Sequence, residues 1–237
     1  MQFGVIVAPT VRDLFVEKIV SMILAGKLSV GDRLPPEREL AEQMRVSKTV
    51  INAGLKDLER MGFVCVNGRQ GRFVANYAEN GTFETLETII KYNGGRFDRE
   101  TAKSLLDMRL AIEGQAFRMF AKSHTKEDIA TLWRMIGEIR EYVSQQERTD
   151  QTEMASMLFR FHRFICLRSG NMVFPVLLNA FRDIAIIFWE SSIRILGTEK
   201  SIEYVACFAS LLEEGKGEEA TQALADMFDY GLSRAYR

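Results

Sequence analysis

Strand-like patterning occurs once in this chain. Phe63, Val64, Cys65 and Val66, and then Arg72, Phe73, Val74 and Ala75, flank the turn Asn67, Gly68, Arg69, Gln70 and Gly71, which reads as a β-hairpin. Elsewhere in the 237 residues the apolar positions recur at helical spacing. One hairpin among helices makes the chain mainly α.

Ahead of the hairpin, Val11, Leu14, Phe15, Ile19, Met22 and Ile23 mark a first helix that stops at Gly26. Pro35-Pro36 opens a short second helix from Glu37 to Gln43, since proline's missing N–H has no partner in a first turn anyway. Ser47 caps a third helix, Lys48 to Met61, with Ile51, Leu55 and Leu58 as its apolar seam. Three helices and a basic-tipped hairpin, with Arg69 at the tip, are the parts of a winged helix-turn-helix, whose third helix enters the major groove. With the seam facing the core, Lys48, Thr49, Asn52 and Lys56 project outward, and such side chains reach phosphates or base edges. An ordinary solvated helix face is the competing reading. The formal net charge of -1 hides an asymmetry: residues 1–77 hold 11 basic and 8 acidic residues, and residues 78–237 hold 20 and 24. The polar stretch Asn76 to Thr82 serves as the linker between a domain of residues 1–77 and one of residues 78–237.

In the second domain the periodic segments are Phe83 to Ile90, Leu105 to Phe120, Ile129 to Val143, Met157 to Leu167, Val173 to Ile195, Ile202 to Leu212 and Ala220 to Leu232. About seven helices with short loops imply an antiparallel all-α bundle. The most apolar run, Met172 to Trp189, is interrupted by Asn179, Arg182 and Asp183, which predicts a central bundle helix rather than a membrane span. Met1 to Val7 lacks the basic leader of a signal peptide. Three cysteines and two histidines, without metal or redox spacing, point to a reducing, cytoplasmic setting. No nucleophile motif, phosphate loop or paired acid–base group is present, so no catalytic residue is assigned and an enzyme is not expected.

Arg109 sits within the apolar stripe Leu105, Ile112, Ala116. A buried guanidinium keeps its charge and needs an anionic partner. Two readings stay open: an internal ion pair, with Glu113 or a carboxylate on another helix, which periodicity alone favours, or a ligand contact. His162 lies on an apolar face with Leu158, Phe161 and Ile165 and reads as a core histidine; a metal site would want a carboxylate where Leu158 stands.

The segment from Leu24 through Gly71 closely resembles the DNA-binding domain of GntR-type bacterial transcription regulators. The resemblance is carried by Gly31-Asp32-Arg33-Leu34-Pro35-Pro36-Glu37-Arg38-Glu39-Leu40-Ala41, Val46-Ser47-Lys48-Thr49-Val50 and Leu55-Lys56-Asp57-Leu58-Glu59. It implies DNA contacts at Arg38, Ser47, Lys48, Thr49 and Gly68. Where the family usually has arginine then glutamate, this chain has Asn52 and Ala53, which implies an altered operator, and Gly54 weakens the helix by roughly 1 kcal/mol relative to alanine.

The second domain resembles the sensor domain of the FadR-like branch of that family, through Leu105-Leu106-Asp107-Met108-Arg109, Phe161-His162 and Ser169-Gly170-Asn171. Many members of the branch bind a metal and a small carboxylate with one Asp and three His. This chain keeps only the position of His162, with Leu158, Val205 and Met227 near the other ligand places, so no metal is expected. The metal-free, fatty-acid-responsive subset is similar through Leu86-Glu87-Thr88, Arg109, Ser169-Gly170-Asn171 and Tyr230-Gly231, which implies effector contacts at Arg109, Asn171, Tyr230 and Gly231. An acyl chain would suit a bundle rich in Phe and Met, although these residues are more often plain core. The expectation is a homodimeric regulator on a palindromic double-stranded operator, sensing acyl-coenzyme A or another acidic metabolite, with no cofactor and no membrane. Its rivals are a constitutive DNA-binding protein with a vestigial sensor domain and a metal- and carboxylate-sensing regulator of the same family.

Overall fold

A computed structural model describes residues 8–94, 97–146 and 149–236, without the side chain of Arg69; the leader expectation for Met1 to Val7 therefore lies outside the described residues. The chain divides into two compact units between residues 96 and 97.

The first unit begins with α1 (Val11–Leu24), started by a capping box in which the Thr10 hydroxyl accepts from Asp13 N and the Asp13 carboxylate accepts from Thr10 N. α2 (Glu37–Met44) and α3 (Lys48–Arg60) follow, then β1 (Val64–Val66) and β2 (Arg72–Val74). The strands pair antiparallel, with Val64 opposite Val74 and Val66 opposite Arg72, and Arg33 adds a bridge to Phe73. Ile51, Leu55 and Leu58 of α3 are buried with Phe15, Ile19, Leu40 and Phe63, so the seam faces the core as its spacing predicts.

Gly54 has a role that helix propensity conceals. A β-carbon on it would lie 2.3 Å from Cδ1 of the buried Phe15, so glycine lets α1 and α3 approach closely. Helix propensity alone would make Gly54→Ala stabilising by roughly 1 kcal/mol. Overpacking against Phe15 is expected to dominate and destabilise the chain by about 1–3 kcal/mol, and the urea midpoint gives the sign.

The stretch after the hairpin is not a plain linker. Asn76 caps a short helix, α4 (Tyr77–Asn80), and α5 (Phe83–Tyr92) packs within the first unit. The Thr85 hydroxyl donates to Met61 O, Arg60 pairs with Glu84, and Ile90 is buried. The boundary placed after residue 77 therefore falls inside the first compact unit. Periodicity shows that α5 has an apolar face but not which core that face joins.

The second unit is helical throughout its described residues. α6 (Arg99–Arg109) passes through a π turn (Leu110–Gly114) into α7 (Gln115–Ser123). Then come α8 (Lys126–Ser144), α9 (Gln151–Arg168), α10 (Phe174–Ala180), α11 (Arg182–Leu196), α12 (Thr198–Glu213) and α13 (Gly217–Ala235). Phe117, Phe120, Leu132, Leu158, Phe161, Trp189, Phe208 and Leu224 lie in its core. The single helix expected from Val173 to Ile195 is broken at Phe181, where φ is -94° and ψ is 6°. The Phe181 N–H reaches the carbonyls of Leu177 and Leu178, and its own carbonyl accepts from Ala185 N, so the break leaves these backbone groups paired. Among the described residues no helix is long and apolar enough to cross a membrane.

Candidate functional site

The start of α3 is built to receive an anion. The Ser47 Oγ accepts from Val50 N at 3.3 Å, leaving other first-turn N–H groups unbonded within the helix, and no acidic residue stands in that turn. Lys48 and Thr49 are exposed there, beside the exposed Arg45. The Arg38 side chain is 88% exposed and meets Glu42 one turn on, Nε to Oε1 3.0 Å. At the hairpin tip Gly68 has φ +50° with open space around it. The backbone of Arg69 is beside it, and its side chain lies outside what the structure describes.

Asn52 is placed differently from the expectation that it projects outward. Its Nδ2 donates to Glu37 Oε1 at 2.7 Å, and the same oxygen accepts from Arg72 Nη1 at 2.8 Å. Burial would raise the Glu37 pKa, but the bonds from Arg72 and Asn52 hold it below the ordinary range. Asn52 thus ties α3 to α2 and β2. Arg45 was not singled out by its sequence, yet it closes α2 in the left-handed region at φ 54°, ψ 43°. Arg45→Gly is expected to stabilise the unit by about 0.5–1 kcal/mol in urea unfolding, because a β-carbon costs energy in that conformation.

The second unit encloses a charged cluster at the π turn. Arg109 and Glu113 are 5% and 1% exposed, and the guanidinium meets the carboxylate through Nε–Oε1 at 2.6 Å and Nη2–Oε2 at 3.2 Å. The internal ion pair is thus the arrangement present. The cation lies over three rings, with Cζ 4.9 Å from the centroids of Trp189 and Phe228 and 5.6 Å from that of Phe188. His162 Nδ1 lies 2.6 Å from Glu113 Oε2 but off the direction of a hydrogen bond. Its buried Nε2 has no hydrogen-bond partner among the described residues. Leu158, Val205 and Met227 are buried apolar side chains. Among the described residues no three His, Cys, Asp or Glu side chains converge as a metal site would need.

Burial would raise the Glu113 pKa, but the Arg109 charge and the His162 contact outweigh it and hold it at about 2, against an ordinary 4.5. A carboxyl with a depressed pKa stabilises the fold fully above its unfolded value and loses that contribution as pH falls through its folded value. Acid titration followed by circular dichroism is therefore expected to show stability falling from about pH 4.5 toward pH 2, with a shallower fall in Glu113→Gln. The Cys166 thiol is pushed up, first by burial and then by the charge of Glu113.

Two small cavities flank this cluster. One, of about 40 Å³, lies between α6, α11 and α13 and is lined by residues including Leu106, Phe188, Ser191, Phe228, Gly231 and Tyr236. The other, of about 20 Å³, has Arg109 and Glu113 in its wall, with Leu105, Phe181, Ala185 and again Phe188. Each has room for only a few waters, so an acyl chain would have to widen them. Arg109 and Gly231 are thus brought to neighbouring cavities. Asn171 lines neither: its Oδ1 accepts from Val173 N at 2.8 Å and Phe174 N at 3.3 Å at the start of α10. Tyr230, one step round the helix from Gly231, is 42% exposed and accepts from Arg234. Sequence reasoning missed Phe188, Trp189, Phe228 and Ser191. The adjacent aromatics Phe188-Trp189 opposite Phe228 were the available signal.

Residues 14–74 match the family model of the gntR family of bacterial regulatory proteins, and residues 104–230, more than half the chain, match the FCD domain. A fatty acid metabolism regulator protein of Shewanella pealeana is 29% identical over 171 residues, covering 72% of this chain and 67% of that protein. A Glc operon transcriptional activator of Escherichia coli strain K12 is 28% identical over 173 residues, covering 73% of this chain and 66% of that one. The matched stretch thus spans about two thirds of these relatives' length. Among solved structures, that of Lar, which controls expression of the Listeria monocytogenes agr system, superposes with a TM-score of 0.61. It covers 97% of this chain and 98% of its own at 18% identity, a likeness of fold.

Proposed function

Because the chain belongs to the gntR family of bacterial transcription regulators and carries an FCD effector-binding domain, we propose that it binds a palindromic operator as a cytoplasmic homodimer and answers to an acyl metabolite. What carries the DNA reading is the cationic, acid-free start of α3, with Lys48 and Thr49 exposed on it. We assign Arg38, Ser47, Gly68 and Arg69 as further contacts. Asn52 supports it by holding α2 and β2 in place.

In the second unit, the apolar lining beside Gly231 suits the aliphatic part of an acyl thioester such as long-chain acyl-coenzyme A. Arg109 stands in the wall of the neighbouring cavity, held in its ion pair, whereas Asn171 and Tyr230 would join a ligand only outside the cavities. Binding shifts the chain between two states of different operator affinity, to the extent that the ligand prefers one of them.

The test is a titration of promoter DNA at several salt concentrations, with and without long-chain acyl-coenzyme A. The expected result is an affinity that falls linearly on logarithmic axes with salt, and that changes with the acyl compound. Absence of salt-dependent binding overturns the regulator reading. DNA binding indifferent to every acyl compound leaves a constitutive DNA-binding protein. Gly231→Phe places its side chain where a β-carbon meets nothing within 4 Å, in the cavity wall. It is expected to keep DNA binding and lose the acyl response, read as the melting shift.

A further inference from the structure

The geometry points to Glu113 as the residue that sets the charge class of the ligand: the end of the bound molecule that reaches the core is uncharged. This rests on the reading of the second unit as a ligand site. Among the described residues in the walls of the two cavities, Arg109 is the sole cation, and it is already held by Glu113 through two contacts. A ligand carboxylate arriving there would meet a like charge on Glu113 and a guanidinium whose charge is spent. The pair is neutral as a unit and enclosed by Phe188, Trp189 and Phe228, so it offers no compensation for stripping water from an anion.

The neutral alternative has a polar partner available. Ser191 lines the larger cavity and its hydroxyl has no hydrogen-bond partner among the described residues, while the Tyr236 hydroxyl at the same cavity is spent on Phe97 O at 2.6 Å. Phe188 is common to both walls. In this assignment the ring turns aside as the ligand enters, and the chain reaches from the slot between α11 and α13 toward the ion pair. An aliphatic chain then fills the slot, and its inner end is a primary amide or a hydroxyl rather than a carboxylate.

Octanamide and octanoate differ in charge and hardly in shape, and calorimetric titration of the full chain with each tests the assignment. At neutral pH octanamide is expected to bind at least about tenfold more tightly than octanoate, a difference of the size a charge–charge contact produces. In Glu113→Gln, which keeps the shape and frees the Arg109 charge, the order is expected to reverse. The unmodified protein supplies an arm that does not depend on the variant's folding. Octanoate affinity is expected to rise as pH falls through the ligand's own carboxyl pKa near about 4.5. Octanamide at the same pH is the control for the protein's own charged and titratable groups around the site, Arg109, Glu113, His162 and Cys166. Equal binding of the two ligands at neutral pH, or an octanoate affinity that does not rise in acid, overturns the charge assignment while leaving the ligand site standing. Failure of both ligands to bind overturns the site and the assignment with it.

Discussion

Arg109→Ala is expected to lower the stability of the chain by about 3–5 kcal/mol, the cost of breaking a buried pair and leaving one charge behind. Glu113 would remain 1% exposed, with His162 off the hydrogen-bond direction as its remaining close partner. The urea midpoint measures the loss. Replacing both members, Arg109→Met with Glu113→Leu, removes the stranded charge and is expected to recover most of it, since well-packed apolar substitutes for a buried ion pair are often neutral or stabilising. A double variant as unstable as Arg109→Ala would mean that the guanidinium's contacts with Trp189 and Phe228, rather than its charge, hold the helices. The same comparison governs functional work: a lost ligand response in Arg109→Ala reports a damaged core before it reports a lost contact.

Lys48→Ala is expected to weaken operator binding by about tenfold to a hundredfold, corresponding to about 1–3 kcal/mol, if Lys48 reaches a guanine edge. If it touches phosphate, the loss is uniform across DNA sequences and the salt slope falls by about one. Titration of the promoter fragment and of unrelated DNA over a salt series separates the two. Asn52→Ala provides the contrast. Its amide is spent on Glu37, so the expected result is unchanged discrimination between sequences and a stability loss of about 1 kcal/mol. An Asn52→Ala protein that confuses operators while keeping its stability would return this residue to the base-reading surface.

Much of the fold was legible because local spacing determines it. The α3 seam, the Ser47 cap and the hairpin around Gly68 follow from residues within a turn or two of each other. What escaped depends on distant partners. Nothing near Gly54 announces that Phe15 lies against it, and nothing near Asn52 announces Glu37 and Arg72. The stripe of α5 carries no label naming its core, and the break at Phe181 is set by backbone geometry within an apolar run. In the charged cluster of the second unit the Arg109–Glu113 pair was visible as an i, i+4 spacing. The ring enclosure was not, because it is assembled from α6, α11 and α13.

Trp189 is 1% exposed, 4.9 Å from the Arg109 cation and next in sequence to Phe188. The second tryptophan, Trp133, is 37% exposed and donates to Glu213 on α12. The chain therefore contains its own optical reporter. In Trp133→Phe, emission comes from one indole at the ion pair, so the proposed filling of the slot is expected to be readable in real time through the neighbouring Phe188, without a label and without DNA.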